Sequence, residues 1–260
     1  MALVVKKSKK EVPPRIVLYG EPGIGKSTFG AFAEKSIFIN IEDGLDSIEA
    51  DVLPVISTEE DRDVPKSFEE VKEQLKALIY EEHDYKTLVI DSLSKLELLI
   101  WEKLCNDFHV TNIEKVDGGY GKGYTHALNL WNEVLDIIDY LRKERNMTII
   151  LLAHHGIQNT QNPETQTYDT LVPQLNKKVV ELIVRWADCV FYAHKQILVR
   201  EFEKGFNKKR AVAINKGNDV RIIRTVGNAA VVAKNRYNLP EFLPLDYDAF
   251  KTELNKFYNK

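Results

Sequence analysis

Cysteine is scarce in this 260-residue chain: Cys105 and Cys189 stand far apart and outside any zinc-ligand spacing, which leaves no basis for a disulfide framework or a structural zinc site. Long hydrophobic runs are missing too. No apolar stretch approaches the roughly 20 residues of a membrane span. The short run Ala2 to Val5 precedes Lys6, Lys7, Lys9 and Lys10, the reverse of the order in a secretory signal, so a cytoplasmic protein with no membrane partner is expected. An excess of basic charge is also lacking. With a net charge of -3, any nucleic-acid contact has to come from local basic patches on an acidic background. What is present, 44% hydrophobic and 29% charged residues, is the composition of a globular protein. The length suits one α/β domain with a modest appendage.

From Arg15 onward, short β-type apolar runs alternate with helical segments, the pattern of a mostly parallel sheet with crossover helices. The expected division is a basic tail over 1–14, a core over 15–245 that becomes β-rich from about 187, and a closing helix over 246–260. Arg15 to Tyr19 reads as the first strand. A helix from Lys26 to about Lys35 follows, with Phe29, Phe32 and Ala33 inward. Ile37 to Ile41 is the second strand. Ser67 and Glu70 form a capping box before a helix that puts Val71, Leu75, Leu78 and Ile79 on one face. Thr87 to Asp91 is a strand, Leu93 to Phe108 a helix, Asp117 to Gly123 a glycine-rich loop and Tyr124 to Arg145 a long amphipathic helix. Met147 to Ala153 completes the sheet's apolar centre. A polar stretch, Gly156 to Gln174, precedes a helix reaching Trp186, and a hairpin turn falls at Lys204 to Lys209.

Gly20-Glu21-Pro22-Gly23-Ile24-Gly25-Lys26-Ser27-Thr28 fits the phosphate-loop pattern, glycine, four residues, glycine, lysine, serine, and lies between a strand and a helix as that motif requires. Its glycines let backbone N–H groups turn onto phosphate oxygens, and the helix start favours an anion. Lys26 then brings positive charge to the β- and γ-phosphates, and Ser27 a hydroxyl to magnesium. ATP and Mg2+ are the ligands expected. Asp91, at a strand's carboxyl end, suits a magnesium contact through water, although a strand-end turn aspartate is the plain alternative. Ser92 follows it, so a water-activating carboxylate must come from elsewhere. Glu42, after the second strand, is the candidate, with Asp43 its rival and an ordinary solvated acid the bland reading.

The succession GEPGIGKST, IFINIEDGLD, TLVIDSLSKL and TIILLAHH resembles the core of RecA-like ATPases, most of all the phage-encoded AAA-family ATPases of single-strand annealing and recombination. The resemblance runs from about Arg15 to Pro244. It implies a RecA-like P-loop fold with a β-rich extension toward the C-terminus. Glu42 would be the catalytic base, Asp91 the magnesium aspartate, and His154 the γ-phosphate sensor, where the family usually has glutamine; His155 is the alternative sensor. It further implies DNA-stimulated ATP hydrolysis in a ring or filament in the bacterial host cytoplasm, with single-stranded DNA and a phage single-strand-binding protein as partners.

Two segments match the family's DNA-binding loops in position. In Val116 to Tyr124, Tyr120 and Tyr124 would stack on bases while Lys122 meets a phosphate. In Gly156 to Gln174, Gln158 would contact the strand, with Lys177 and Lys178 as a basic rim; a mobile surface loop is the plain alternative for each. Val231 to Tyr237 resembles the phage proteins' closing motif, in which Lys234 and Arg236, two apart, would reach a neighbour's γ-phosphate. Arg221 and Arg224 are weaker candidates for that surface. A ring-forming helicase-like motor, a small-molecule P-loop kinase and a non-hydrolysing scaffold are the competing functions.

Overall fold

The computed structural model describes residues 11–56, 62–161, 166–196, 198–204, 208–214 and 220–259, and only the backbone in 198–204 and 208–214. The chain opens with β1 (Arg15–Gly20), the glycine loop and a short α1 (Lys26–Ala31). β2 (Ser36–Asn40), the two-residue β3 (Asp51–Val52), α2 (Phe68–Tyr80), β4 (Thr87–Asp91) and α3 (Leu93–Asp107) follow. α1 stops at Ala31, so Phe32, expected inside, is 70% exposed. Ser67 opens α2 by accepting the Glu70 N–H at 3.2 Å, and the Glu70 carboxylate binds Arg62 and the Lys66 N–H.

A 3-10 turn at Ile113–Gly118 takes in the first two residues of the expected glycine-rich loop, and α4 (Lys122–Glu144) takes in its last two. β5 (Thr148–Thr160) then runs well beyond the sheet and returns as β6 (Tyr168–Pro173), antiparallel from His155↔Pro173 to Thr160↔Tyr168. The segment expected as a long loop is therefore a hairpin. Cross-strand bonds between Thr160 and Thr170 (3.0 Å) and from Asn159 to Asp169 (3.1 Å) fasten it. Its tip, 162–165, lies outside the described residues.

α5 (Lys177–Trp186) leads to β7 (Cys189–Lys195). β8 (Leu198–Lys204) and β9 (Lys208–Ile214) form a separate hairpin, and part of its expected turn, 205–207, lies outside the described residues. β10 (Arg221–Arg224), β11 (Lys234–Asn235), β12 (Phe242–Pro244) and α6 (Tyr247–Tyr258) complete the chain.

The main sheet runs β12-β10-β7-β1-β5-β4-β2-β3, parallel from β7 to β3 and antiparallel at the β10–β12 edge. Met147 to Ala153 does not complete its centre. β7 flanks β1 on the side away from β5, so Cys189 to Ala193 is a central strand. β2, in turn, does not neighbour β1, because β5 and β4 stand between them.

The pleat of β1 sends Val17 and Tyr19 to one core, with α2, α3, α4 and α5, and Ile16 and Leu18 to the other, with α1 and α6. Helices on both faces are the physical reason that the central strands read as continuous apolar runs. Phe250 of α6 is fully buried beside Phe29, a contribution of roughly 1.5–3 kcal/mol that makes the last helix part of this layer.

Candidate active site

Parallel pairing lines up the carboxyl ends of β1, β5 and β4, with Gly20 opposite His154 and Asp91 opposite Leu152. At Gly20 a Cβ would sit 2.3 Å from the Ala193 carbonyl oxygen, so packing against β7 demands glycine. Gly25, at φ 110°, demands it through the backbone. No side chain caps α1, and its first-turn N–H groups have no acceptor within the helix, an arrangement that suits an anion.

Lys26 is buried and donates to the carbonyls of Gly20 (3.2 Å) and Glu21 (2.9 Å). Burial pushes its amine down, while Asp91 and Glu42 act to hold the charge. Ser27 Oγ donates to Asp91 Oδ2 at 2.5 Å. Burial pushes the Asp91 carboxyl up; Ser27 and Lys26 oppose the rise and Glu42 adds to it. A buried carboxylate short of positive charge beside a hydroxyl fits a magnesium ion. Among the described residues no group of three or more His, Cys, Asp or Glu could hold a metal unaided, in keeping with an ion whose shell phosphate and water complete.

Glu42 arrives from β2 by a backbone route. Ile41 and Glu42 N–H both donate to the Asp91 carbonyl, at 2.6 and 3.1 Å, folding the end of β2 over that of β4. Glu42 thus stands next to Asp91 on the adjoining strand, and its charge reaches Lys26 across β4 and β5 although its own strand does not neighbour β1. Its carboxylate bonds His154 Nε2, and this bond holds it below the ordinary value against the effect of burial. His155, one residue along β5, falls on the other face of the strand. Asp43 lies in an exposed turn at φ 55°. Lys26, Ser27, Asp91, Glu42 and His154 thus converge; Thr28 and Glu21 to Gly23 are exposed, and Ile24 packs inward.

Beside the Glu42–His154 pair opens a cavity of about 580 Å³ between α3 and the β5–β6 hairpin, with Trp101, Gln158, Asn176 and Lys177 in its walls. Tyr120 is fully exposed. Lys122 is turned back onto the Asp117 carbonyl at 3.0 Å. Tyr124 does not offer a free face: it is half-buried, edge-on to Trp101 at 5.8 Å, and backs the cavity wall. Lys177 and Lys178 are exposed at the start of α5.

Lys234 and Arg236 lie at the start of β7, the end of the sheet away from Gly20. Their side chains do share one side, but it is that of their own α5–β7 junction. Lys234 Nζ donates to the carbonyls of Val184 (2.8 Å), Arg185 (3.3 Å) and Ala187 (2.7 Å), and Arg236 pairs with Asp188 at 3.1 Å. All three ammonium donors are engaged, so a reach to a neighbour's phosphate requires breaking this cap. Arg224 pairs with Glu241. Arg221, expected on the same outer surface, instead brings Nη1 to 3.2 Å from where a Cβ of Gly25 would be, against the chain's own phosphate loop.

Glu97 was not anticipated. It is buried in the cavity wall, and a signal was present: a lone acid among Leu93, Leu96 and Ile100 on the apolar face of a helix. Nothing in the sequence foretold the approach of Arg221 to Gly25, which depends on two segments nearly 200 residues apart.

The family described as an AAA domain matches residues 12–237. None of the curated proteins matches the sequence. Among solved structures, one titled as the crystal structure of the RadB recombinase is similar at 11% identity, with 92% of this chain and 90% of that chain covered and a TM-score of 0.42.

Proposed function

This chain belongs to the AAA domain family, and on that premise we propose that it is an ATP hydrolase governed by single-stranded DNA, of the kind phages encode for annealing and recombination. One observation carries the reading: the Glu42–His154 pair, at the phosphate end of the site, is also a wall of the cavity whose other side is the β5–β6 hairpin. A strand held there touches the groups that handle the attacking water. Lys122, Lys177, Lys178, Tyr120 and Gln158 supply the phosphate and base contacts around it. Self-association into a ring or filament, and a phage single-strand-binding protein as partner, belong to the same proposal.

Backbone N–H groups of the loop hold the triphosphate, and Lys26 leaves the Gly20 and Glu21 carbonyls for the β/γ oxygens. Ser27 and Asp91 would hold magnesium, which would supply positive charge to the phosphate being cleaved. Glu42, kept ionised by its bond to His154, would accept the proton of the water that attacks the γ-phosphorus as the bond to the ADP oxygen breaks, while His154 keeps the carboxylate in place. ATP hydrolysis measured with and without single-stranded oligonucleotide, alongside particle size, tests the reading. Turnover rises severalfold with DNA if it is correct; unchanged turnover together with no bound strand overturns it. A second reading has one observation in its favour, since the same cavity has room for a small phosphate acceptor beside Glu42. Phosphate transfer to such an acceptor without DNA would select a kinase.

A further inference from the structure

α3 starts immediately after Ser92, so its first turn lies against the nucleotide site. Ser94 Oγ accepts the His154 N–H at 3.2 Å. One turn further on, Glu97 is 5% exposed, and its two carboxylate oxygens accept a single donor, the Asn176 N–H, at 3.0 and 2.9 Å. Among the described residues no other hydrogen bond reaches that carboxylate. A carboxylate offers about four acceptor sites. One N–H is meagre compensation for a buried charge, and a helix that needed only an anchor would be served by a neutral side chain.

The donor's position explains what is gained. Asn176 also caps α5, its Oδ1 accepting the Lys178 N–H at 3.1 Å. Two residues earlier, the Gln174 N–H donates to the His154 carbonyl at 2.9 Å. The strand leaving the β5–β6 hairpin is therefore pinned twice within three residues, to His154 and to Glu97, and both pins lie in the cavity wall. We propose that Glu97 is a positioning residue that holds the hairpin and α5 in register with the Glu42–His154 pair, so that filling the cavity is conveyed to the hydrolytic groups. This rests on the hydrolase reading above.

Glu42 from the end of β2, His154 from β5, Lys95 from α3 itself and Lys177 from α5 share the cavity with Glu97. Tyr124 from α4 stands against the lining residue Trp101, and its phenol is raised by burial and by Glu114 and Glu97. None of them bonds the carboxylate. Burial pushes Glu97 up to about 7, with the Asn176 N–H acting against the rise. Ionised, it is a charge-assisted acceptor; protonated, it is a weaker one with an O–H to place. The link thus tightens as pH rises through neutrality.

The test compares wild type with Glu97→Gln, which keeps the shape and one acceptor oxygen but cannot ionise. ATP hydrolysis with and without oligo(dT) is measured from about pH 6 to 8, and amide exchange at residues 174–178 with magnesium and either ADP or a non-hydrolysed ATP analogue. In wild type the stimulation ratio rises severalfold across that range, and exchange at 174–178 depends on the nucleotide. Glu97→Gln keeps the unstimulated rate, has a flat and low ratio, and loses the nucleotide dependence of exchange. A variant with the wild-type ratio, pH profile and exchange overturns the proposal, as does one that loses unstimulated hydrolysis equally. If DNA stimulates neither protein while exchange still responds to nucleotide through Glu97, the positioning role stands and the DNA reading falls.

Discussion

Two buried aspartates stand at opposite ends of the sheet and have opposite fates. Asp188 precedes β7 and receives three guanidinium groups: Arg15 at 3.1 Å, Arg142 at 3.3 Å and Arg236 at 3.1 Å. Burial raises its carboxyl, but Arg15 and its neighbours more than reverse this and hold it below the ordinary value. Asp91, equally removed from water, has a serine hydroxyl, a lysine bonded elsewhere and a nearby acid, and its carboxyl stays raised. The difference teaches how to tell a structural charge from a working one. The first is already neutralised by its own chain, whereas the second is left wanting a cation, which the magnesium nucleotide proposed above would bring.

The largest effect expected lies at the unfinished end. Glu42→Gln should lower turnover by roughly 10²–10⁴-fold while nucleotide binding, followed by fluorescent-analogue titration, persists. If turnover survives, Glu42 is not the base. Asp188→Ala should cost roughly 3 kcal/mol in urea denaturation because it leaves the largely buried Arg15 with Asp139 as its remaining acid partner and takes the carboxylate from Arg142 and Arg236 as well. Asp91→Asn should cost no stability and instead abolish the magnesium dependence of nucleotide affinity. Were the two variants to exchange phenotypes, the contrast between the ends would fail.

Glu97 sharpens the contrast as a third buried acid with a single donor. Its folded-state value of about 7 lies above the ordinary 4.5, so the folded protein holds the proton more tightly than the unfolded chain does. The fold is then penalised as pH rises from about 4.5 to 7, and the penalty stays constant above that. At roughly 1.4 kcal/mol per pH unit it amounts to about 3 kcal/mol. Glu97→Gln should match wild type near pH 4.5 and be the more stable protein at pH 8; equal denaturation midpoints at pH 8 would remove this assignment. The smallest effect belongs to Lys234→Met, which loses the cap on α5 at a cost of roughly 1 kcal/mol. Turnover that falls with protein concentration in this variant, beyond its stability loss, would show a role between subunits instead.

Local pattern carried much of this molecule. The phosphate loop was legible because its glycines, Lys26 and Ser27 are contiguous, and the strands and helices because apolar periodicity records which faces are covered. Glu42 was legible as a residue at a strand end, but which strands would stand between it and the loop was not, since strand order is not written in any one strand. The hairpin of β5 and β6 was hidden by polar residues on a segment that leaves the sheet, where the alternation of a half-buried strand is weak.

The sequence by itself determined the glycine loop between strand and helix, the apolar layers and which acids sit at strand ends, since these depend on neighbours within a few residues. Only the tertiary structure decided that Lys234 and Arg236 close their own α5–β7 junction, that Tyr124 backs a cavity and that Arg221 meets Gly25. Each of these depends on how far apart two distant segments come to rest and on how many opposite charges burial gathers around one group, and neither quantity is a property of a stretch of chain.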